Sequence, residues 1–139
     1  MNAAVDSSVL IAIINGEQGA DAWVRTLAQA RTESRLVLCD VVYAECSPTL
    51  DTRAEFDDTL TRLGIEFDSL QTDAAHLAGE IFAKYRRSGG PSQHLIPDFL
   101  IGAHAQTQAA RLAATDRGYL RRYFPGLTLL APVPESSEV

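Results

Sequence analysis

The sequence predicts an α/β fold built on a parallel sheet, and three observations carry that expectation. Short, mostly apolar runs recur along the chain, at 2–5, 35–39, 65–67, 111–114 and 127–130. Between them lie stretches with apolar residues at helical spacing. The two patterns alternate throughout, which implies a central parallel sheet of four to five strands with helices on both faces, three layers in all. In such folds ligands bind outside the carboxyl ends of the strands.

At 139 residues the chain is long enough for one domain with a single sizeable core. That domain is expected over 1–131. Residues 132–139 carry two prolines and two glutamates and read as a frayed tail. A net charge of −6 argues against a purely electrostatic nucleic-acid binder, though not against an enzyme that reaches nucleic acid through bound cations. There is no charged-then-apolar leader and no apolar run of membrane-spanning length, so a cytoplasmic protein away from membranes is expected. Cys39 and Cys46 match no zinc spacing and are expected to be reduced, buried apolar residues.

Each element has a local reason. The strand at 2–5 ends at Asp6, and Ser7 or Ser8 can cap a helix over 9–14 that Asn15-Gly16 stops. Residues 17–32 place Ala20, Trp23, Val24, Leu27 and Ala30 on one helical stripe. After the strand at 35–39, Asp40 is the expected N-cap of a helix over 41–46, closed by Ser47-Pro48. A helix over 52–63 closes at Gly64 and leads into the strand at 65–67. The helix over 72–87 has Ala75, Leu77, Ala78, Ile81, Phe82 and Tyr85 as its apolar face, and a Gly-rich loop at 88–92 follows it.

The next helix, from Ile96 to about 110, opens IPDFLIGAHA and is apolar nearly all the way round from Phe99 to Ala105, so it is expected to be buried. Pro97 fits its first position, and Asp98 lies in its first turn, where the helix dipole favours a carboxylate. No Lys or Arg follows within the next turn or two. A carboxylate entering a buried helix without a cation is costly. Asp98 is therefore either a dipole-stabilised rim residue or a metal ligand.

Three further acids bear on that choice. Asp6 ends the first strand, Asp116 follows the fourth, and Glu45 sits in the apolar run VVYAEC after the second. Carboxylates converging on one rim would raise each other's pKa values, and a hard divalent cation such as Mg²⁺ or Mn²⁺ would relieve them. Structural roles are open to each: Asp6 as N-cap, Glu45 as a solvated helix acid, Asp116 as a turn residue with Gly118.

The combination resembles the PIN-domain family of metal-dependent ribonucleases, and within it the VapC-type toxins of bacterial toxin–antitoxin pairs. The resemblance rests on VDSSVLIAI at 5–13, YAE at 43–45, IPDFLIGAHA at 96–105 and AATDRGY at 113–119, and it covers the chain to about residue 130. It implies a PIN-like fold. It also implies that Asp6, Glu45, Asp98 and Asp116 form the catalytic, metal-binding set for Mg²⁺ or Mn²⁺, and that RNA is hydrolysed to 5′-phosphate and 3′-hydroxyl ends. A homodimer and a cognate antitoxin whose tail blocks the groove are implied as well. The family's hydroxyl after its first Asp falls on Ser8. Its hydroxyl near the last Asp falls on Thr115 only by adjacency, because Ala114 holds the matching position.

Arg86 and Arg87, before the Gly-rich loop, are candidates to meet RNA phosphates or the antitoxin. Arg117, Arg121 and Arg122 make a basic patch beside Asp116. His94 and His104 are not expected to be ligands, since hard cations prefer oxygen. Two other readings compete. A receiver-like phosphoacceptor domain needs adjacent N-terminal acids and a Lys after the late strands, whereas serines follow Asp6 and the only Lys is Lys84. A non-catalytic PIN-like module binding RNA or protein would not require the intact set of four acids.

Overall fold

The first strand, β1 (Asn2–Val5), occupies the middle of the sheet. Around it run β2 (Arg35–Leu38), β3 (Ile65–Phe67), β4 (Arg111–Ala113) and β5 (Thr128–Leu130), all parallel, in the order β3-β2-β1-β4-β5. The chain is described here from a computed structural model covering residues 1–89 and 94–132. Ala4 faces Val37 on one side and Leu112 on the other, and all three are buried. The strand order changes direction between β1 and β4, the switch point at which open parallel sheets bind ligands. A receiver-like domain would instead carry the order 2-1-3-4-5.

Among the described residues seven helices connect the strands: α1 (Ser7–Ile14), α2 (Ala20–Arg31), α3 (Asp40–Cys46), α4 (Arg53–Leu63), α5 (Thr72–Arg87), α6 (Ile96–Gln108) and α7 (Gly118–Tyr123). A 3₁₀ turn at Ser47–Thr49 holds Pro48 and ends α3. Steps from β1 to β3 go one way and steps from β3 to β5 the other. Right-handed crossovers then put α1–α4 on one face and α5–α7 on the other. α2 packs on α1, β2 and α4, while α6 packs on β1, β4 and α5, and α3 reaches α6 as well.

All five expected strands are present, with 35–39, 111–114 and 127–130 each one residue shorter. Helix starts differ for identifiable reasons. Asp6, rather than Ser7 or Ser8, caps α1. α2 starts at Ala20 because Gly19 takes a left-handed φ of 92°. Cys39 occupies the N-cap of α3, and Asp40 turns its carboxylate to the loop after β3, accepting from the Ser69 hydroxyl at 3.3 Å and the Leu70 N–H at 3.1 Å. Pro97 is the second residue of α6, not the first, and the helix stops at Gln108. α7 is an additional element that the sequence reading does not include. The Gly-rich loop, beyond Ser88 and Gly89, and the tail from 133 onward lie outside the described residues.

α6 is buried as its sequence predicts, with Phe99, Ile101, Ala103, His104 and Ala105 at 3 % exposure or less. His104 is paid for by a partner: its Nε2 lies 2.8 Å from Asp68 Oδ2, which also accepts from Gln108 Nε2 at 3.0 Å. Aromatic rings join the three helices of that face. Phe99 of α6 lies 5.2 Å from Phe82 and 5.1 Å from Tyr85 of α5, and 6.4 Å from Phe124 just after α7. Gly102 makes the last contact feasible, since a Cβ there would stand 2.5 Å from Phe124 Cε2.

That contact sets two effects of Gly102→Ala against each other. Helix propensity favours Ala by about 1 kcal/mol. Overpacking a filled core costs about 1–3 kcal/mol, and here the obstacle is a buried ring. Gly102→Ala is expected to lower the melting temperature in thermal denaturation; a variant melting above the parent would mean that the Phe124 ring yields without cost.

Candidate functional site

The carboxyl end of β1 places Asp6 at the switch point. Its backbone N–H donates to the Ala113 carbonyl of β4 at 2.9 Å, which continues the sheet by one bond. Its extended backbone (φ −78°, ψ 154°) then starts α1, and its Oδ2 accepts from the Ser8 N–H at 3.2 Å and from the Ser8 hydroxyl. Ser8 Oγ in turn accepts from the Thr115 N–H at 3.2 Å. Ser8 therefore fixes the Asp6 carboxylate and ties it to the loop that carries Asp116. Thr115 enters through its backbone, while the residue itself is exposed.

Burial raises the Asp6 pKa above its ordinary value. The hydrogen bonds from Ser8 oppose the shift, and the charges of Glu45 and Asp98 reinforce it. Glu45 is exposed on α3, next to buried Cys46. Burial first, then Glu45 and Asp6, push the Cys46 thiol up to about 12, so it stays protonated. Both cysteines are unpaired and buried, as expected.

Asp98 is the third residue of α6, and its Oδ2 accepts from the Leu95 N–H at 2.9 Å, half of a capping box. His94 Nδ1 lies 3.7 Å from the same oxygen. The His94 ring stacks on Tyr119 of α7, with centroids 4.2 Å apart and planes at 29°. Tyr119 registers all four acids: burial raises its pKa most, followed by the charges of Asp6, Asp98, Asp116 and Glu45.

The cationic candidates are less gathered. Arg86 lies over the Phe82 ring at 5.8 Å, and Arg86 and Arg87 stand exposed at the end of α5. Arg117 Nη1 reaches the Leu130 carbonyl at 3.5 Å, and Arg122 lies over the Tyr123 ring, so two of the three patch arginines are engaged on their own side of the fold. His94 and Tyr119 carry no role in the sequence reading. The signal for α7 is there in Tyr119, Leu120, Tyr123 and Phe124, which are spaced as one helical face.

Among the described residues no three His, Cys, Asp or Glu side chains stand close enough together to hold a metal ion as they are. The donor chemistry nonetheless suits one. All four candidate groups are carboxylates, and Asp6 is held among like charges that a hard cation would offset.

The sequence matches the PIN domain family model over residues 3–125. The chain belongs to the PIN domain family. No curated protein matches the sequence. Several solved structures share the PIN fold at low identity. VapBC2 of Rickettsia felis, bound to a DNA fragment from its promoter, aligns at 18 % identity with a TM-score of 0.75, covering 94 % of this chain and 98 % of that one. VapC20 of Mycobacterium tuberculosis, a toxin that cleaves the sarcin–ricin loop, aligns at 16 % with a TM-score of 0.66, covering 94 % and 99 %. A toxin–antitoxin complex from Klebsiella pneumoniae aligns at 18 % with a TM-score of 0.65, covering 94 % and 98 %. No helix among the described residues is long and apolar enough to cross a membrane.

The raised pKa of Asp6 predicts a pH dependence of stability. A group whose folded pKa lies above its unfolded one stabilises the fold when protonated, and that contribution is lost as pH rises through the folded value. Asp6→Asn keeps an oxygen for the Ser8 N–H and removes the charge. Without added metal it is expected to melt above the parent at neutral pH, with the gap closing as pH falls through the Asp6 pKa. A plain N-cap carboxylate predicts the reverse, a loss of about 0.3–1 kcal/mol with the charge. Paired melts across pH 3.5–8 separate the two.

Proposed function

We propose that this PIN domain is a metal-dependent endoribonuclease and the toxin of a type II toxin–antitoxin pair. In this reading Asp6, Glu45, Asp98 and Asp116 hold Mg²⁺ or Mn²⁺, directly or through water. The observation that carries it is the Asp6 carboxylate at the switch point, held there by Ser8, where burial and then the charges of Glu45 and Asp98 raise its pKa. A fold that needed Asp6 only to cap α1 would gain from keeping other acids away. The toxin–antitoxin proteins among the structural neighbours support the biological side of the proposal.

The chain's own residues prepare the rim. Ser8 orients Asp6, and the Leu95 N–H orients Asp98. Glu45 and Asp116 are exposed. A cation bound there would polarise a phosphoryl oxygen and lower the pKa of an attacking water. No side chain is then required as nucleophile, and RNA would be cut to 5′-phosphate and 3′-hydroxyl ends. The same reading takes the protein as a homodimer with a cognate antitoxin, and Arg86 and Arg87 as contacts for RNA or for that partner.

Asp6→Asn and Asp98→Asn should each lower cleavage of a sensitive RNA by about 10²-fold or more, as expected when groups that supply several kcal/mol are lost. Chelator should abolish cleavage by the parent, and Mn²⁺ should restore it. Full activity in excess chelator would sink the metal mechanism.

The acidic rim also predicts how it is silenced. A partner segment should place an Arg or Lys among the four carboxylates and inhibit by competing with the cation. Raising Mn²⁺ is expected to weaken inhibition in a titration of the complex. Inhibition independent of Mn²⁺, with an interface mapped away from these acids, would overturn this.

A further inference from the structure

The tyrosine that registers all four carboxylates has no part in the metal-binding set, and its position calls for one. Two independent ties bring α7 to the acids. The His94 ring touches both ends of the gap: it stacks on Tyr119 at 4.2 Å, and its Nδ1 lies 3.7 Å from Asp98 Oδ2. At the other side, Ser8 bonds both Asp6 and the Thr115 N–H, four residues before Tyr119. The Tyr119 ring also meets Phe99 edge-on at 6.0 Å, one residue after Asp98. Ring packing on two sides holds the Tyr119 ring in place, and the residue is only half-buried.

We propose that Tyr119 binds the RNA substrate, donating its phenolic O–H to a non-bridging oxygen of the phosphate presented to the four acids. This rests on the ribonuclease reading and adds a substrate contact to it. The chemistry suits the place. A phosphodiester brought to a rim of carboxylates meets groups that can only accept, so a neutral donor there is scarce and useful. The surrounding negative charge and burial keep the phenol protonated at any ordinary pH. An arginine in its place would pair with the carboxylates instead. A hydrogen bond to an anionic oxygen is among the stronger ones, and it forms with bound substrate before and during reaction alike.

Tyr119→Phe removes the hydroxyl and keeps the ring that packs on His94 and Phe99. Steady-state cleavage of one RNA in Mn²⁺ is expected to show KM raised about 10-fold or more, with kcat within about twofold of the parent, the pattern of a contact made equally in ground and transition states. The melting temperature and the Mn²⁺ concentration for half-maximal activity should stay at parental values. Tyr123→Phe, on the same helix and in the same aromatic cluster, should leave KM unchanged. An unchanged KM in Tyr119→Phe overturns the contact while leaving the ribonuclease reading intact. So does a raised KM accompanied by a lower melting temperature or an equal rise in Tyr123→Phe, because ring packing alone would then explain it. Absence of Mn²⁺-dependent cleavage by the parent protein overturns both readings together.

Discussion

The placement of one carboxylate constrains the rest of this molecule. Asp6 ends the central strand, starts the first helix and feels the charges of Glu45 and Asp98. Its backbone is a sheet residue toward β4 and its side chain is a helix cap, so neither can shift without loosening the other. The hydrogen bonds from Ser8 lower the cost of ionising it, and burial with the nearby acids raises that cost. The balance lies on the unfavourable side in the absence of a cation. Such a local cost is tolerated when the surrounding fold over-determines the geometry, and functional sites are where that is found.

The over-determination comes from the face opposite α1. α6 carries Asp98 at its start and six buried residues behind it, so the acid's position is set by core packing rather than by a loop. Phe99 anchors the helix among rings from α5 and α7, and the His104–Asp68–Gln108 bonds hold its far half against the loop after β3. Rigid support of this kind is what a site needs if side chains are to converge on a ligand within a fraction of an ångström.

Much of this is legible in the sequence because burial and topology leave strong marks there. Fully covered strands read as apolar runs, and the acids after strands one, two and four mark the candidate rim proposed above. What is illegible depends on partners distant in the chain. Asp40 looks like a helix cap, yet a loop 29 residues away takes its carboxylate. Asp6 caps α1 ahead of two serines because sheet pairing to Ala113 already holds its backbone extended. α7 is six residues long, too short to form on its own propensity, and exists because Leu120 and Phe124 are buried. Tyr119 follows from α7 and is hidden with it. Where the four carboxylates finally point is a matter of rotamers, on which a sequence is silent.

The central position of β1 has a consequence for the order of events during synthesis. Asp6 is made well before β4, the strand that completes its surroundings, and the Ser8–Thr115 bond spans 107 residues. Contacts of such separation form late, after the intervening chain has been delivered. A nascent chain that has not yet delivered α6 and β4 holds Asp6 and Glu45 with neither Asp98 nor the Thr115 loop opposite them. The rim around Asp6 therefore takes its final form only once β4 has been made.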